Sequence, residues 1–211
     1  MGATIGWLAE VLARDTSWWS DAVWVVDSTP AECGRSRDTA SERVGRVRVL
    51  RESFPVLLGL RLHLLCTLHG LPVAFALTGA KADERQVLLG MLEGGRDLTR
   101  ARAGQVIIGD KNYYGREFET HLAQAGATLL RPRRQGEAPR AGARFFKPLR
   151  QIIESVNDTF KGQLDLERHG GHTPAGVAVR VLQRILALTA AIWHNDHTGQ
   201  PVKRSLVAYD H

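Results

Sequence analysis

Three acidic side chains stand in contexts suited to divalent-metal chemistry. Asp27 closes the apolar run Val23-Trp24-Val25-Val26, Asp110 closes Val106-Ile107-Ile108-Gly109, and Glu154 ends Arg150-Gln151-Ile152-Ile153-Glu154. A carboxylate at the tip of a buried strand projects from a rigid platform into the crevice beyond the sheet, where open α/β folds place their ligands. Two such tips and a helical glutamate supply the oxygen donors that hard cations prefer. A pair of Mg²⁺ ions held roughly 4 Å apart would then stabilise both the attacking and the leaving oxygen of a phosphodiester. Taken singly, an Asp after a strand is as readily a turn former or a helix N-cap, so the three residues have to be weighed together.

The third of them lies in a segment, 148–161, that reads as a helix, with Pro148 suited to its first turn and Gly162 to its end. At about 100° per residue, Arg150, Glu154, Asn157 and Lys161 share one stripe and Leu149, Ile153, Val156 and Phe160 the neighbouring one. One stripe packs and the other is free for chemistry. Arg150 and Glu154 also have the spacing of an ordinary i,i+4 surface pair. Yet Arg150, Glu154 and Lys161 fall on the R, E and K of the pattern Y-x-x-R-x-x-x-E-x-x-x-x-x-x-K, with Lys147 where that pattern has Tyr.

With this helix and four further blocks the chain resembles the catalytic part of a DDE transposase of an insertion sequence. The blocks are Val-Val-Asp27-Ser28-Thr29-Pro30; Gly59-Leu60-Arg61-Leu62-His63-Leu64 with Leu71-Pro72-Val73-Ala74; Thr78-Gly79-Ala80-Lys81-Ala82-Asp83-Glu84; and Gly109-Asp110-Lys111-Asn112-Tyr113-Tyr114-Gly115. The resemblance implies an α/β, RNase H-like mixed sheet flanked by helices. It implies metal-dependent DNA strand cleavage and strand transfer, with Asp27, Asp110 and Glu154 as catalytic residues and ligands of two Mg²⁺ (or Mn²⁺) ions. Lys111, Arg150 and Lys161 would hold phosphates. The implied partner is DNA, as element ends and as target, bound by a homodimer in a bacterial, nucleoid-associated setting. Another RNase H-like nuclease would use the same carboxylates without joining strands. A degenerate copy would be an inactive remnant that binds DNA weakly and without specificity.

Periodicity agrees with that fold: strand signals fall at 23–26, 60–68, 73–77, 106–108 and 128–130, and helical ones at 84–92, 116–125, 148–161 and 175–193. Leu68-His69-Gly70-Leu71 reads as a hairpin turn. Arg61 and His63 share one face of their strand by alternation; both are candidates for DNA contact, and for His63 core packing is the equal alternative. The 211 residues, 44% hydrophobic, suffice for one domain, 1–211. Within it, 1–22 reads as the remnant of a helical region that would grip DNA ends, hence as an N-terminal truncation, and 198–211 as an exposed tail.

A net charge of +6 suits a polyanionic partner. The basic residues crowd into Arg131-Pro132-Arg133-Arg134, Arg140, Arg144 and Lys147, where Arg133 and Arg134 are expected on the DNA backbone. Cys33 and Cys66 have no metal-ligand or disulfide pattern, which points to a reducing cytoplasm. The histidines near the C-terminus lack partners at zinc-site spacing. The apolar stretch 177–193 is broken by Arg180, Gln183 and Arg184, as in a core helix rather than a membrane span. The segment 41–58 is unlike the family; it reads equally as a divergent loop or as an out-of-frame insert.

Overall fold

The computed structural model describes residues 2–31, 59–94, 98, 104–140, 142, 146–202 and 206. Segment 41–58, Cys33 and Arg144 lie outside the described residues, as does the Lys147 side chain. Five strands form one sheet: β1 (Val23–Ala31), β2 (Leu60–Thr67), β3 (Pro72–Gly79), β4 (Gln105–Ile108) and β5 (Ala127–Leu130). Their order is β3-β2-β1-β4-β5, antiparallel from β3 to β1 and parallel from β1 to β5. The helices are α1 (Gly2–Arg14), α2 (Glu84–Gly94), α3 (Arg116–Gln124), α4 (Phe146–Asp158) and α5 (Pro174–Thr198).

Alternation along the strands divides the apolar side chains between two cores. Val25, Ala31, Leu62, Leu64 and Ile108 face one way, onto Ala9 and Ala13 of α1, Ile153 and Val156 of α4 and Val181 and Ile185 of α5. Trp24, Val26, Leu65 and Ile107 face the other way, onto Val87 and Leu88 of α2 and Phe118 and Leu122 of α3. The result is a sheet between two helical layers, the arrangement that buries both faces of a largely apolar sheet. The β2–β3 hairpin closes as expected. Thr67 and Leu71 pair across it, and Gly70, at φ +85°, takes a conformation that a side chain would strain.

Several boundaries depart from the sequence reading. β1 does not stop at Val26: it runs on through Asp27 to Ala31 because β2 continues to pair with it, Asp27 opposite Leu64 and Ala31 opposite Leu60. The helix expected over 148–161 is α-helical only to Asp158 and then widens into a π-helical turn, Thr159–Gln163, which carries Lys161 off the stripe it was expected to share. α5 extends to Thr198. Thr173 caps its start by accepting from the Gly176 N–H, and Pro174 opens its first turn.

Described residues near both ends of the chain pack into the fold. α1 packs along α5, Ser17 N–H donates to Asp196 Oδ2 at 2.8 Å, and Trp193 Nε1 donates to Asp15 Oδ2 at 2.8 Å. The first 22 residues therefore contribute Ala9 and Ala13 to the core. The segment expected as an exposed tail is partly covered: Val202 and Leu206 pack against the core, and the Leu206 N–H donates to Gln163 Oε1 at 2.6 Å. α5 has the length and composition to cross a membrane, but its stripe Val177, Val181, Ile185, Leu188 and Ile192 is buried in the protein.

Candidate active site

β1 and β4 run parallel, and their pairing ends at Val25 opposite Ile108. Two residues further on, in the same register, come Asp27 and Asp110. Past Ile108 no strand among the described residues pairs with that edge of β1, so the two carboxylates flank a crevice where one strand has ended and its neighbour continues. Both follow residues of the same core, Val25 and Ile108, so by alternation both lie on the sheet face covered by α4. The aspartates are close enough for the charge of Asp110 to act on Asp27.

Asp27 is tied in from two sides. Its Oδ1 accepts the Ser28 N–H at 2.8 Å, and its Oδ2 accepts Asn157 Nδ2 at 3.1 Å, which joins β1 to α4. Burial raises its pKa above the ordinary carboxylate value; the Ser28 N–H opposes this, the charges of Asp110 and Glu84 add to it, and Arg150 lowers it. Asp110 is likewise half-buried, and its two oxygens accept the N–H and the side-chain amide of Asn112, at 2.7 and 3.0 Å. It therefore closes a turn as well as lining the crevice.

Glu154 is placed differently. It lies on the exposed side of α4, and its Oε1 accepts Arg150 Nε at 2.8 Å, with both side chains largely open to solvent. Among the described residues, no group of three or more Asp, Glu, His or Cys side chains stands together in a metal-holding arrangement. The fold thus brings Asp27 and Asp110 together and leaves Glu154 paired to its own helix. Asn157, one turn beyond Glu154, is the α4 residue that reaches Asp27, and its Oδ1 is buried without a hydrogen-bond partner. Two facing carboxylates, one of them destabilised as an anion, beside an unsatisfied amide oxygen suit a hard divalent cation by donor chemistry. A full set of three carboxylates requires Glu154 to release Arg150.

The basic candidates divide by burial. Lys111, Arg133 and Arg134 are exposed, Arg150 is exposed but paired, and Lys161 is half-buried in the π-helical turn. Arg131, at 2% exposure, is instead a structural anchor: it pairs with Glu119 and Glu137, and Arg140 joins it on Glu119. Glu137 is held at a pKa of about 2 by Arg131 and by the Arg134 N–H. This network folds the basic stretch back on itself. Arg134 lies over the Tyr114 ring, 3.7 Å from its centroid, so the stretch abuts the loop that follows Asp110.

Arg61 and His63 share a face, as alternation predicts, but it is the face opposite Asp27. The register sets His63 against Ser28, and Ser28 points away from Asp27. His63 is wholly buried, Nε2 against Thr78 Oγ1 at 2.9 Å, and burial holds its imidazole neutral with a pKa lowered to about 4. Its burial and the Thr78 contact suit the core-packing reading better than the phosphate contact. Arg61 is spent on Glu84, at 2.7 Å, and on Ser28 Oγ, at 2.9 Å. The guanidinium expected to contact DNA stands in an internal ion pair and stays partly exposed. Glu84 and Ser28 are residues near the crevice that sequence reasoning did not assign; their signal was only that each lies in a matching block. Gly109 is another, because Tyr113 folds under it so closely that a side chain there would strike the ring.

This topology, a mixed five-stranded sheet between helical layers, defines a class, the RNase H-like folds. The chain itself belongs to the transposase DDE domain family, whose match spans residues 18–190. A similar solved structure is the piggyBac transposase synaptic complex with hairpin DNA, at 7% identity and a TM-score of 0.56, over 90% of this chain and 51% of that one. The chain thus spans about half the length of that transposase. The Mos1 transposase paired-end complex with the left transposon end aligns over 92% of this chain and 62% of that one, at 11% identity and a TM-score of 0.35. No curated protein matches.

Proposed function

We propose that the chain is the catalytic domain of an insertion-sequence DDE transposase that cleaves DNA strands and transfers them, with Asp27, Asp110 and Glu154 holding two Mg²⁺ or Mn²⁺ ions. The observation that carries this is the pair Asp27, in β1, and Asp110, two residues past the end of the adjacent parallel β4, at equivalent heights with α4 across the same face. When bound, such ions supply charge stabilisation to the oxygens of a phosphodiester. The chain's own residues do the rest. Asp27 and Asp110 fix the donor positions, Asn157 orients the Asp27 carboxylate, and Lys111, Arg150 and Lys161 hold phosphates in line. Arg133 and Arg134, presented by the Arg131 network, contact the DNA backbone outside it. DNA, as element end and as target, is the partner, and the piggyBac assembly with hairpin DNA is the support by analogy. A homodimer on DNA in a bacterial nucleoid accompanies this reading.

The test is Mg²⁺-dependent nicking of supercoiled plasmid, run beside joining of a 3′-hydroxyl oligonucleotide to a target duplex. Wild type is expected to do both, and Asp27→Asn, Asp110→Asn and Glu154→Gln each to do neither while melting cooperatively. Nicking without joining would favour a different RNase H-like nuclease. A second reading has its own observation: Glu154 engaged by Arg150, with no three-acid cluster among the described residues, suits an inactive remnant with residual DNA affinity. DNA binding without metal-dependent nicking by the wild-type protein would establish that reading and remove the first.

A further inference from the structure

The β1–β4 ladder stops short of the two aspartates. β1 and β4 stop pairing at Val25 and Ile108, two residues before each carboxylate, so no ladder bond between the two strands spans Asp27 and Asp110. Another element does connect them. Glu84, the first residue of α2, accepts the Ser28 hydroxyl at 2.6 Å and Arg61 Nη1 at 2.7 Å, and Arg61 closes the ring by donating to Ser28 Oγ at 2.9 Å. Ser28 in turn gives its backbone N–H to Asp27 Oδ1. The next residue, Arg85, donates through Nη1 to the Tyr114 carbonyl at 3.1 Å and sets its guanidinium 5.2 Å from the centre of the Tyr114 ring. Its aim is fixed by Asp83, whose two oxygens take Nε and the second terminal nitrogen. Tyr114 ends the turn that Asp110 begins: the Tyr114 N–H bonds to the Asn112 carbonyl, and Asn112 bonds to Asp110.

We infer that the first turn of α2 is a positioning element for the active site, in which Glu84 anchors the Asp27 strand and Arg85 anchors the Asp110 loop. Consecutive residues at a helix start are separated by a fixed rise of about 1.5 Å and a fixed rotation. Two anchors on such a step translate the rigidity of the helix into a fixed carboxylate separation, which a shared divalent ion requires. Neither residue touches reacting atoms. The inference rests on the proposed metal-dependent reading of the site, and α2 acts from the sheet face opposite the carboxylates.

The test uses Mn²⁺ alone as the probe, with affinity for the full chain measured by electron paramagnetic resonance and the Mg²⁺ concentration for half-maximal plasmid nicking measured in parallel. Glu84→Ala and Arg85→Ala are expected to weaken Mn²⁺ binding by about ten- to a hundredfold and to raise the half-maximal Mg²⁺ by a similar factor. Nicking at saturating metal should return to within a fewfold of wild type, because the donors themselves remain. Glu84→Gln, which keeps a partner for Ser28 but not the charge facing Arg61, should fall between. Should either alanine variant fail to fold, Glu84→Gln and Arg85→Gln carry the same comparison. Folded variants that bind Mn²⁺ as tightly as wild type overturn the positioning role alone. A wild-type protein that binds no Mn²⁺ removes the reading of the site and this inference with it.

Discussion

Gly109→Ala tests whether the Asp110 loop depends on a contact that only glycine allows. A Cβ built at Gly109 would lie 2.8 Å from Tyr113 Cδ2, 3.0 Å from Cγ and 3.2 Å from Cβ, well inside van der Waals contact. Tyr113 cannot swing aside into solvent, because it is 1% exposed and its ring meets Phe118 at 6.5 Å between centroids. The strain must be absorbed by moving the ring, the Gly109 backbone or both. Forcing a methyl into a filled core costs about 1–3 kcal/mol, and for a domain of this size each kcal/mol lowers the melting temperature by about 2–4 °C. Gly109→Ala should therefore melt about 2–12 °C below wild type. Because Asp110 is the next residue, a displacement of the order of 1 Å should also cut metal-dependent nicking by about a hundredfold below the melting range. Tyr113→Ala, which removes the two nearest struck atoms, Cδ2 and Cγ, at the cost of a cavity, supplies the control. The double variant should lose less stability than the sum of the two singles, by about 1 kcal/mol or more. A Gly109→Ala protein that melts with wild type, or a double variant equal to that sum, would refute the contact as the reason for glycine at this position.

Two further outcomes follow from the electrostatics. Arg133→Ala and Arg134→Ala should each lower DNA affinity at all sequences tested and flatten the dependence of log affinity on log salt by roughly one; Arg131→Ala should instead lower the melting temperature, since that side chain is buried on two glutamates. Salt titrations of fluorescently labelled duplex, beside thermal melts, separate the two classes. His63 is neutral in the fold, with its pKa lowered by burial to about 4. A depressed histidine contributes stability that is complete above its unfolded pKa of about 6.5 and is lost as the pH falls toward 4, here at most about 3 kcal/mol. Urea denaturation from pH 7 to pH 4 should show that loss in wild type and a shallower one in His63→Gln. Parallel slopes would assign the acid sensitivity to other groups.

Much of the architecture was legible because it is written locally. The apolar runs ending in Asp27 and Asp110, the hairpin at Gly70 and the stripe of α4 each depend on residues within about a dozen positions, and each formed near where periodicity put it. Errors gathered where an element continues because of a distant partner. β1 passes Asp27 because β2 pairs with it, and 198–211 is partly covered because Leu206 meets Gln163. Arg61 and His63 illustrate the limit sharply. Alternation says that they share a face, but only the register of β1 against β2, Ser28 opposite His63, says which one.

The sequence alone determined the kinds of donor available, their attachment to two strands and a helix, and the family to which the chain belongs, since these are properties of residue type and spacing. Only the tertiary structure decided which groups meet. It paired Asp27 with Asp110 across a parallel ladder that ends just short of both, gave Asn157 rather than Glu154 the contact with Asp27, and turned Glu154 toward Arg150. It also recruited Glu84 and Arg85 from a helix on the far face. The physical reason is that hydrogen bonds and charges act over a few ångströms of space, whereas sequence spacing fixes distance only within a single helix or strand.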